Sequence, residues 1–405
     1  MDVPSAGMAR WLMAGACVIL LASASAMEAS GAVAAAQAPS GTGSGGAASG
    51  TAGPAAAAGG AATSGTVSGA ATGAASAVGT AAAPAAKRSP PMKTGFVFDE
   101  IYLKHDTGAG HPERPDRLRA IVKRLKDDGM MERLVQIAAA PAPLEWITAI
   151  HTPQYVEEVR KANAAGGRVL DLGDTPVSAD SYQAALMAAG GVLQAVDAVM
   201  AGKVASAFCA VRPPGHHALK DRAMGFCIFN NVAIATRYIQ KKHGLAKVLI
   251  VDWDVHQGNG TMAAFYDDPS VLQFDTHQWP FYPGSGAESE TGAGKAVGLK
   301  INVPLPAGSG DAVYKEVFEK KLRPAALAFR PDFVLISAGF DAHENDTLGG
   351  MKVTTQGYAD LTRIVKAIAA ECCKGRIVSV LEGGYGLEGL AASVEAHIKV
   401  LMEAP

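Results

Sequence analysis

Cysteine is scarce, with five in 405 residues, at positions 17, 209, 227, 372 and 373. No two of them are spaced C-x-x-C, so neither a disulfide framework nor a thiolate zinc site is indicated. An excess of basic residues is lacking too: 36 Lys and Arg stand against 38 Asp and Glu, and no basic stripe occurs. That balance excludes a phosphate-neutralising surface and with it a nucleic-acid partner. From about Ser30 to Pro84 there is no aromatic residue and no charge, only small residues dominated by Ala, Gly, Ser, Thr and Pro. Such a stretch cannot bury enough apolar surface to offset the entropy of ordering it, and reads as a flexible linker.

Ahead of the linker, Arg10 precedes the apolar run "WLMAGACVILLASASA", Trp11 to Ala26, which ends in the small residues Ala24-Ser25-Ala26. The run is short for a membrane span and suits a secretory signal peptide. An uncleaved N-terminal anchor and a start at Met92, in "MKTGFVFDE", are the competing readings. Cys17 sits in the run without a lipidation context. The expected organisation is a signal peptide or anchor over 1–26, a linker over 27–91 and one domain over 92–405. Export to the periplasm or membrane anchoring follows if Met1 is the start, and a cytoplasmic location if Met92 is.

Within the domain, short continuous apolar runs alternate with amphipathic stretches and no repeat appears. The runs are "TGFVFDE" at Thr94, "ASAFCAV" at Ala205, "KVLIVDWD" at Lys247, "VLQFDTH" at Val271, "KINVPL" at Lys300, "DFVLISAGF" at Asp332 and "RIVSVLEGG" at Arg376. Strands buried on both faces of a parallel sheet have this character. Helices are expected from Ser181, from Asn230 and from Tyr358. The whole predicts an α/β domain, a mostly parallel sheet flanked by helices.

Polar clusters follow four of the runs: His216 and His217, then Asp252, Asp254 and His256, then Asp341, then Glu382 and Tyr385. Ligands of open parallel sheets bind beyond the carboxyl ends of the strands, so all four clusters converge on one edge. Asp254 and His256, two apart, are expected on one side of a strand end with Asp252. Alone, an Asp-x-His reads as a helix cap and a core histidine. With Asp341 it makes a three-ligand set for a divalent metal, with zinc, iron or cobalt all admissible. Adjacent histidines suit bases beside the metal better than ligands, and Asp252 and Asn259 are available to orient their other ring nitrogens. Tyr385, between glycines, is placed to stabilise an oxyanion.

These residues resemble the histone deacetylase family, with its bacterial acetylpolyamine amidohydrolase and acetoin-utilisation relatives, on the arginase-deacetylase fold. The resemblance rests on "HDTGAGHPERPDRL", "RPPGHHA", "GFCIFNN", "DWDVHQGNGT", "FYPGSG", "SAGFDAH" and "LEGGYG" in that order. It implies one catalytic zinc held by Asp254, His256 and Asp341, and a structural potassium or sodium ion. It implies that His217 is the general base, that His216 is its electrostatic partner supported by Asp252, and that Tyr385 polarises the carbonyl. Phe226 and Tyr282 match the walls of an acyl-lysine tunnel, Gly225 a backbone carbonyl beside it, Leu348 its lip and Asp174 a rim aspartate that binds the substrate backbone.

Three departures are visible in the motifs. Asn259 stands where part of the family has an acid, as in the class II and bacterial branch, which leaves His217 less strongly held as a cation. Gln257 replaces a second histidine, and Tyr282 replaces phenylalanine. The implied reaction is hydrolysis of an acylated amine, an acetyl-lysine in a peptide or protein or else an acetylated polyamine. For the latter, Glu288 and Glu290 of "SGAESETGAGK" are candidate contacts to a cationic amine. A non-catalytic acyl-lysine binder is disfavoured because every ligand and base position is filled. An arginase-type ureohydrolase would need a second metal set that the sequence does not supply.

Overall fold

The computed structural model describes residues 93–171 and 173–404. The expected leader and linker lie outside the described residues. All seven apolar runs form strands: β1 Thr94–Val97, β5 Ser206–Cys209, β6 Val248–Asp252, β7 Val271–Gln278, β8 Lys300–Leu305, β9 Phe333–Ala338 and β10 Ile377–Leu381. The sequence did not announce β2, Val135–Ile137, at one edge, nor a separate antiparallel pair of β3, Arg168–Val169, and β4, Pro176–Val177. The main sheet has eight strands in the order β2-β1-β5-β10-β9-β6-β7-β8, and every adjacent pair is parallel.

Every residue of β5, β6, β9 and β10 is buried, on both faces of the pleat. Continuous apolar strands of this kind require helices on both sides of the sheet. Ser181–Met200 and Asn231–His243 pack against each other, while Thr355–Cys373, Leu387–Met402 and Asp116–Asp127 pack in succession. Ser181–Met200 is apolar and long enough to cross a membrane, but two thirds of its most apolar window, 67%, is buried inside the fold. It is a core helix. Asn230 caps its helix by accepting the Ala233 N–H at 3.0 Å, and Gly244 ends that helix in the left-handed region at φ 68°.

The strands that precede the four polar clusters, β5, β10, β9 and β6, are neighbours at the centre of the sheet. Because they are parallel, the loops after Cys209, Asp252, Ala338 and Leu381 leave from the same edge. This is the α/β architecture the sequence predicts, a parallel sheet flanked by helices, and its strand order delivers the site.

Candidate active site

Asp254 and His256 lie past the end of β6, so strand alternation does not aim them. Successive side-chain-to-backbone bonds do: Asp252 Oδ1 accepts the Asp254 N–H at 3.1 Å, and Asp254 Oδ1 accepts the His256 N–H at 2.9 Å. Asp254 Oδ2 takes the Gly383 N–H at 2.8 Å, and Asp341 Oδ1 takes the Val255 N–H at 2.8 Å. One donor atom from each of Asp254, His256 and Asp341 falls within 4.8 Å of the others, all buried. His256 Nδ1 faces both carboxylates, 3.0 Å from Asp254 Oδ1 and 3.3 Å from Asp341 Oδ2.

This set fits a divalent ion. Asp341 Oδ2 is buried without a hydrogen-bond partner, an arrangement that a cation satisfies. Glycine makes the room: a Cβ at Gly339 would lie 2.1 Å from Asp254 Oδ2, and one at Gly383 would lie 2.0 Å from Asp341 Oδ2. Burial opposes charge on the His256 ring, yet the Asp254 and Asp341 carboxylates overcome it and raise its pKa to about 9. Burial and the Asp254 charge together push Asp341 up to about 7. His216, Cys227 and Glu382 form a second close group. There Glu382 Oε2 already accepts the N–H groups of Gly215 and His216, at 2.6 and 3.1 Å, and the group reads as a support for the histidine loop.

The histidine pair has two different environments. His216 Nδ1 is 3.1 Å from Asp252 Oδ2. Burial works against its charged form, but the Asp254, Asp252 and Glu382 carboxylates outweigh that and hold its pKa well above the ordinary value. His217 Nδ1 is 2.7 Å from Asn259 Oδ1, which fixes the proton on Nδ1 and leaves Nε2 as an acceptor. Burial, with the cationic rings of His216 and His256 nearby, holds His217 well below the ordinary value.

Tyr385 is buried, and burial raises its pKa well above that of a free phenol despite the opposing charge of Arg117. Its ring stands 5.9 Å from that of Phe226, and the ring of Tyr282 stands edge-on to His217 at 5.2 Å. Gly225 and Phe226 turn the chain between Met224 and Cys227 with φ of 56° and 69°. At Gly225 any Cβ would press to 2.4 Å from the His217 ring, so only glycine fits. Thr175 Oγ1 accepts the Phe226 N–H at 3.0 Å and donates its proton to Asp171, with Asp174 Oδ1 at 3.1 Å, which brings Asp174 beside the same turn. Burial and the Asp171 charge raise Asp174 to about 7. Leu348 is 37% exposed, on the loop after β9.

Glu288 and Glu290 have partners within the protein. Glu288 pairs with Lys321 at 2.7 Å, and Glu290 Oε1 accepts the Gly286 and Ala287 N–H groups, both at 3.0 Å. Gln257 helps hold the same loop by accepting the Ser285 hydroxyl at 2.8 Å. The loop carries Tyr282, so the Gln257 departure has a structural use.

Sequence reasoning missed Arg117. It is fully buried, donates to the Gly384 and Glu382 carbonyls at 2.6 and 2.5 Å, and bonds to Glu113 at 3.1 Å. Glu113 also binds Arg212, whose Nη2 is 2.7 Å from its Oε2. Both residues lie inside the motif "HDTGAGHPERPDRL", but neither the motif nor the Glu-x-x-x-Arg spacing of 113 and 117, which a solvated helix start would show equally, indicates which backbone Arg117 binds.

Comparison with known proteins gives this geometry a family. The histone deacetylase domain matches residues 111–401. A probable deacetylase of Archaeoglobus fulgidus is 42% identical over 300 residues, 74% of this chain and 83% of the relative. Human polyamine deacetylase HDAC10 is 41% identical over 330 residues, 78% of this chain and 49% of the relative. The crystal structure of the HDA15 HD domain matches with a TM-score of 0.74 at 41% identity, over 77% of this chain and 89% of that one. Fold, domain match and the extent of identity together show that the chain belongs to the histone deacetylase family, and that it is an amide-hydrolysing enzyme of the deacetylase kind.

Proposed function

We propose that the chain removes the acetyl group from the ε-amine of acetyl-lysine in peptides or proteins, with zinc at Asp254, His256 and Asp341. The observation that carries this reading is the pairing of that donor set with two adjacent buried histidines, one held by Asp252 and the other by Asn259. A bound divalent ion supplies Lewis-acid polarisation and acidifies the attacking water.

The remaining work falls to side chains. His217 is neutral, with Nδ1–H given to Asn259 and Nε2 open, so it takes the proton of the attacking water and returns it to the leaving amine. His216, kept protonated by its carboxylates, supplies positive charge near the developing oxyanion. The Tyr385 phenol stays protonated and donates to the carbonyl oxygen. Water adds to the carbonyl carbon, the C–N bond breaks, and acetate and the free amine leave. Phe226 and Tyr282 flank the acyl chain, and Asp174 accepts a substrate backbone N–H at the rim. A structural potassium or sodium ion belongs to the same reading; its test is a rise in melting temperature with either salt over an organic cation.

An acetylated polyamine is the second reading, favoured by the human relative whose name gives that substrate. The commitments of Glu288 and Glu290 speak against a cationic contact there. Initial rates of the zinc-loaded chain on an acetyl-lysine peptide and on N8-acetylspermidine decide the matter. A higher kcat/KM for the peptide is expected. Preference for the polyamine would replace the substrate, and inactivity on both with zinc bound would remove the deacetylase mechanism.

A further inference from the structure

Leu348 and Tyr385 lie on different loops, after β9 and after β10, and neither residue is in a strand. One side chain joins them. Asp346 Oδ2 accepts the backbone N–H of Tyr385 at 2.7 Å and of Gly386 at 2.9 Å. Its Oδ1 accepts the N–H of Leu348 at 2.9 Å and of Gly349 at 3.3 Å. Gly386 is the residue before the helix Leu387–Met402, so the carboxylate also sits where a helix favours negative charge. The approach leaves no slack: a Cβ at Gly386 would come within 2.5 Å of the Asn345 carbonyl oxygen.

The loop from Glu382 to Gly386 is thus gripped by two charges of opposite sign. Arg117 takes its carbonyls, at Gly384 and Glu382, and Asp346 takes its amides, at Tyr385 and Gly386. The phenol projects from between these grips. We propose that Asp346 is a positioning residue: its carboxylate sets the backbone that presents the Tyr385 hydroxyl and ties it to the Leu348 lip. Asparagine cannot replace it, because one oxygen cannot serve both amide pairs and the amide nitrogen would meet N–H groups. The inference rests on Tyr385 acting as the carbonyl-side donor.

The test is a double-mutant cycle in the full zinc-loaded chain, with Asp346→Asn, Tyr385→Phe and the double variant. It reads kcat and KM on the acetyl-lysine peptide, with zinc content and melting temperature measured for each. Tyr385→Phe is expected to lower kcat roughly a hundredfold. Asp346→Asn should lower kcat roughly ten- to a hundredfold with zinc content unchanged, as befits loss of charge-assisted bonds. In the double variant kcat should be within about twofold of Tyr385→Phe alone, because the phenol that Asp346 places is already absent.

An Asp346→Asn enzyme with parental kcat would overturn the proposal, as would single losses that multiply in the double variant. An unchanged kcat in Tyr385→Phe would overturn the role of Tyr385 and this inference together, and it is recognised from that variant alone. If Asp346→Asn does not melt cooperatively, Asp346→Glu takes its place in the cycle. It keeps the charge and displaces it by one methylene, and the same coupling with Tyr385→Phe is expected.

Discussion

The guanidinium carbon of Arg117 lies 5.0 Å from the centre of the Tyr385 ring, and its nitrogens bond the backbone on either side of Gly383. The proposed oxyanion donor therefore stands on a buried cation that shares the Glu113 carboxylate with Arg212. Replacing Arg117 by alanine leaves two buried carbonyls without donors and Glu113 with one fewer partner. A loss of about 3–5 kcal/mol in urea-measured stability is expected, and about 1–3 kcal/mol for Arg117→Lys, which keeps the charge without the fork. Parental stability in both variants would show that the cluster is dispensable.

Burial and the neighbouring His216 and His256 rings hold His217 neutral against an opposing pull from the Asn259 hydrogen bond, and Asn259→Asp strengthens that pull. A carboxylate 2.7 Å from Nδ1 favours the imidazolium and raises the His217 pKa, by about 1–3 units for such a pair. As the proposed base, His217 must be neutral to act, so the acidic limb of kcat/KM is expected to move to higher pH in the variant. Superposable pH profiles for parent and variant would contradict this.

Zinc loading is expected to depend steeply on pH. With the pKa of His256 raised to about 9 and that of Asp341 to about 7, protons compete for two of the three donors below those values. Affinity rises as pH rises and protons are released on binding, so the dissociation constant should tighten roughly a hundredfold or more from pH 6 to pH 8. Competition with a chromophoric chelator measures it. A constant that does not move over that range would rule out this donor set.

Phe226 occupies the left-handed region, where a bulky residue is strained by roughly 1–2 kcal/mol. Asparagine tolerates that conformation, so Phe226→Asn should keep the turn and remove only the aromatic wall. The expected result is a KM for the peptide raised about tenfold, with stability within about 1 kcal/mol of the parent because lost packing and relieved strain offset. An unchanged KM would take Phe226 out of substrate contact.

The main sheet was legible wherever a strand is buried on both faces, because burial writes itself as a continuous apolar run. β2 escaped for the converse reason: it has three residues, one of them an exposed Gln136, at the edge. The candidate donors Asp254, His256 and Asp341, which the structure brings together, stood out because each closely follows an apolar run. Arg117 and Asp346 did not. The partners that matter are main-chain atoms of the Glu382–Gly386 loop, up to 267 residues away for Arg117, and no spacing along the chain encodes a bond to a distant backbone. The Glu288 and Glu290 expectation could not be weighed from sequence because acidic residues in a polar loop carry no sign of whether they cap their own backbone, pair with a lysine or face a ligand.

The four central strands that carry the chemistry have two strands outside them on each side, β2 and β1 at one edge, β7 and β8 at the other. Fraying proceeds from edges, so local openings of the sheet strip structural strands before reaching β5 or β6. Amides of the central strands should therefore exchange with deuterium only through global unfolding, while the loops bearing Leu348 and Asp174 exchange through small local openings. A metal held by the loops at that edge is expected to leave without unfolding of the central strands. Its release rate should stay flat as urea is raised, up to the concentration at which the whole domain unfolds.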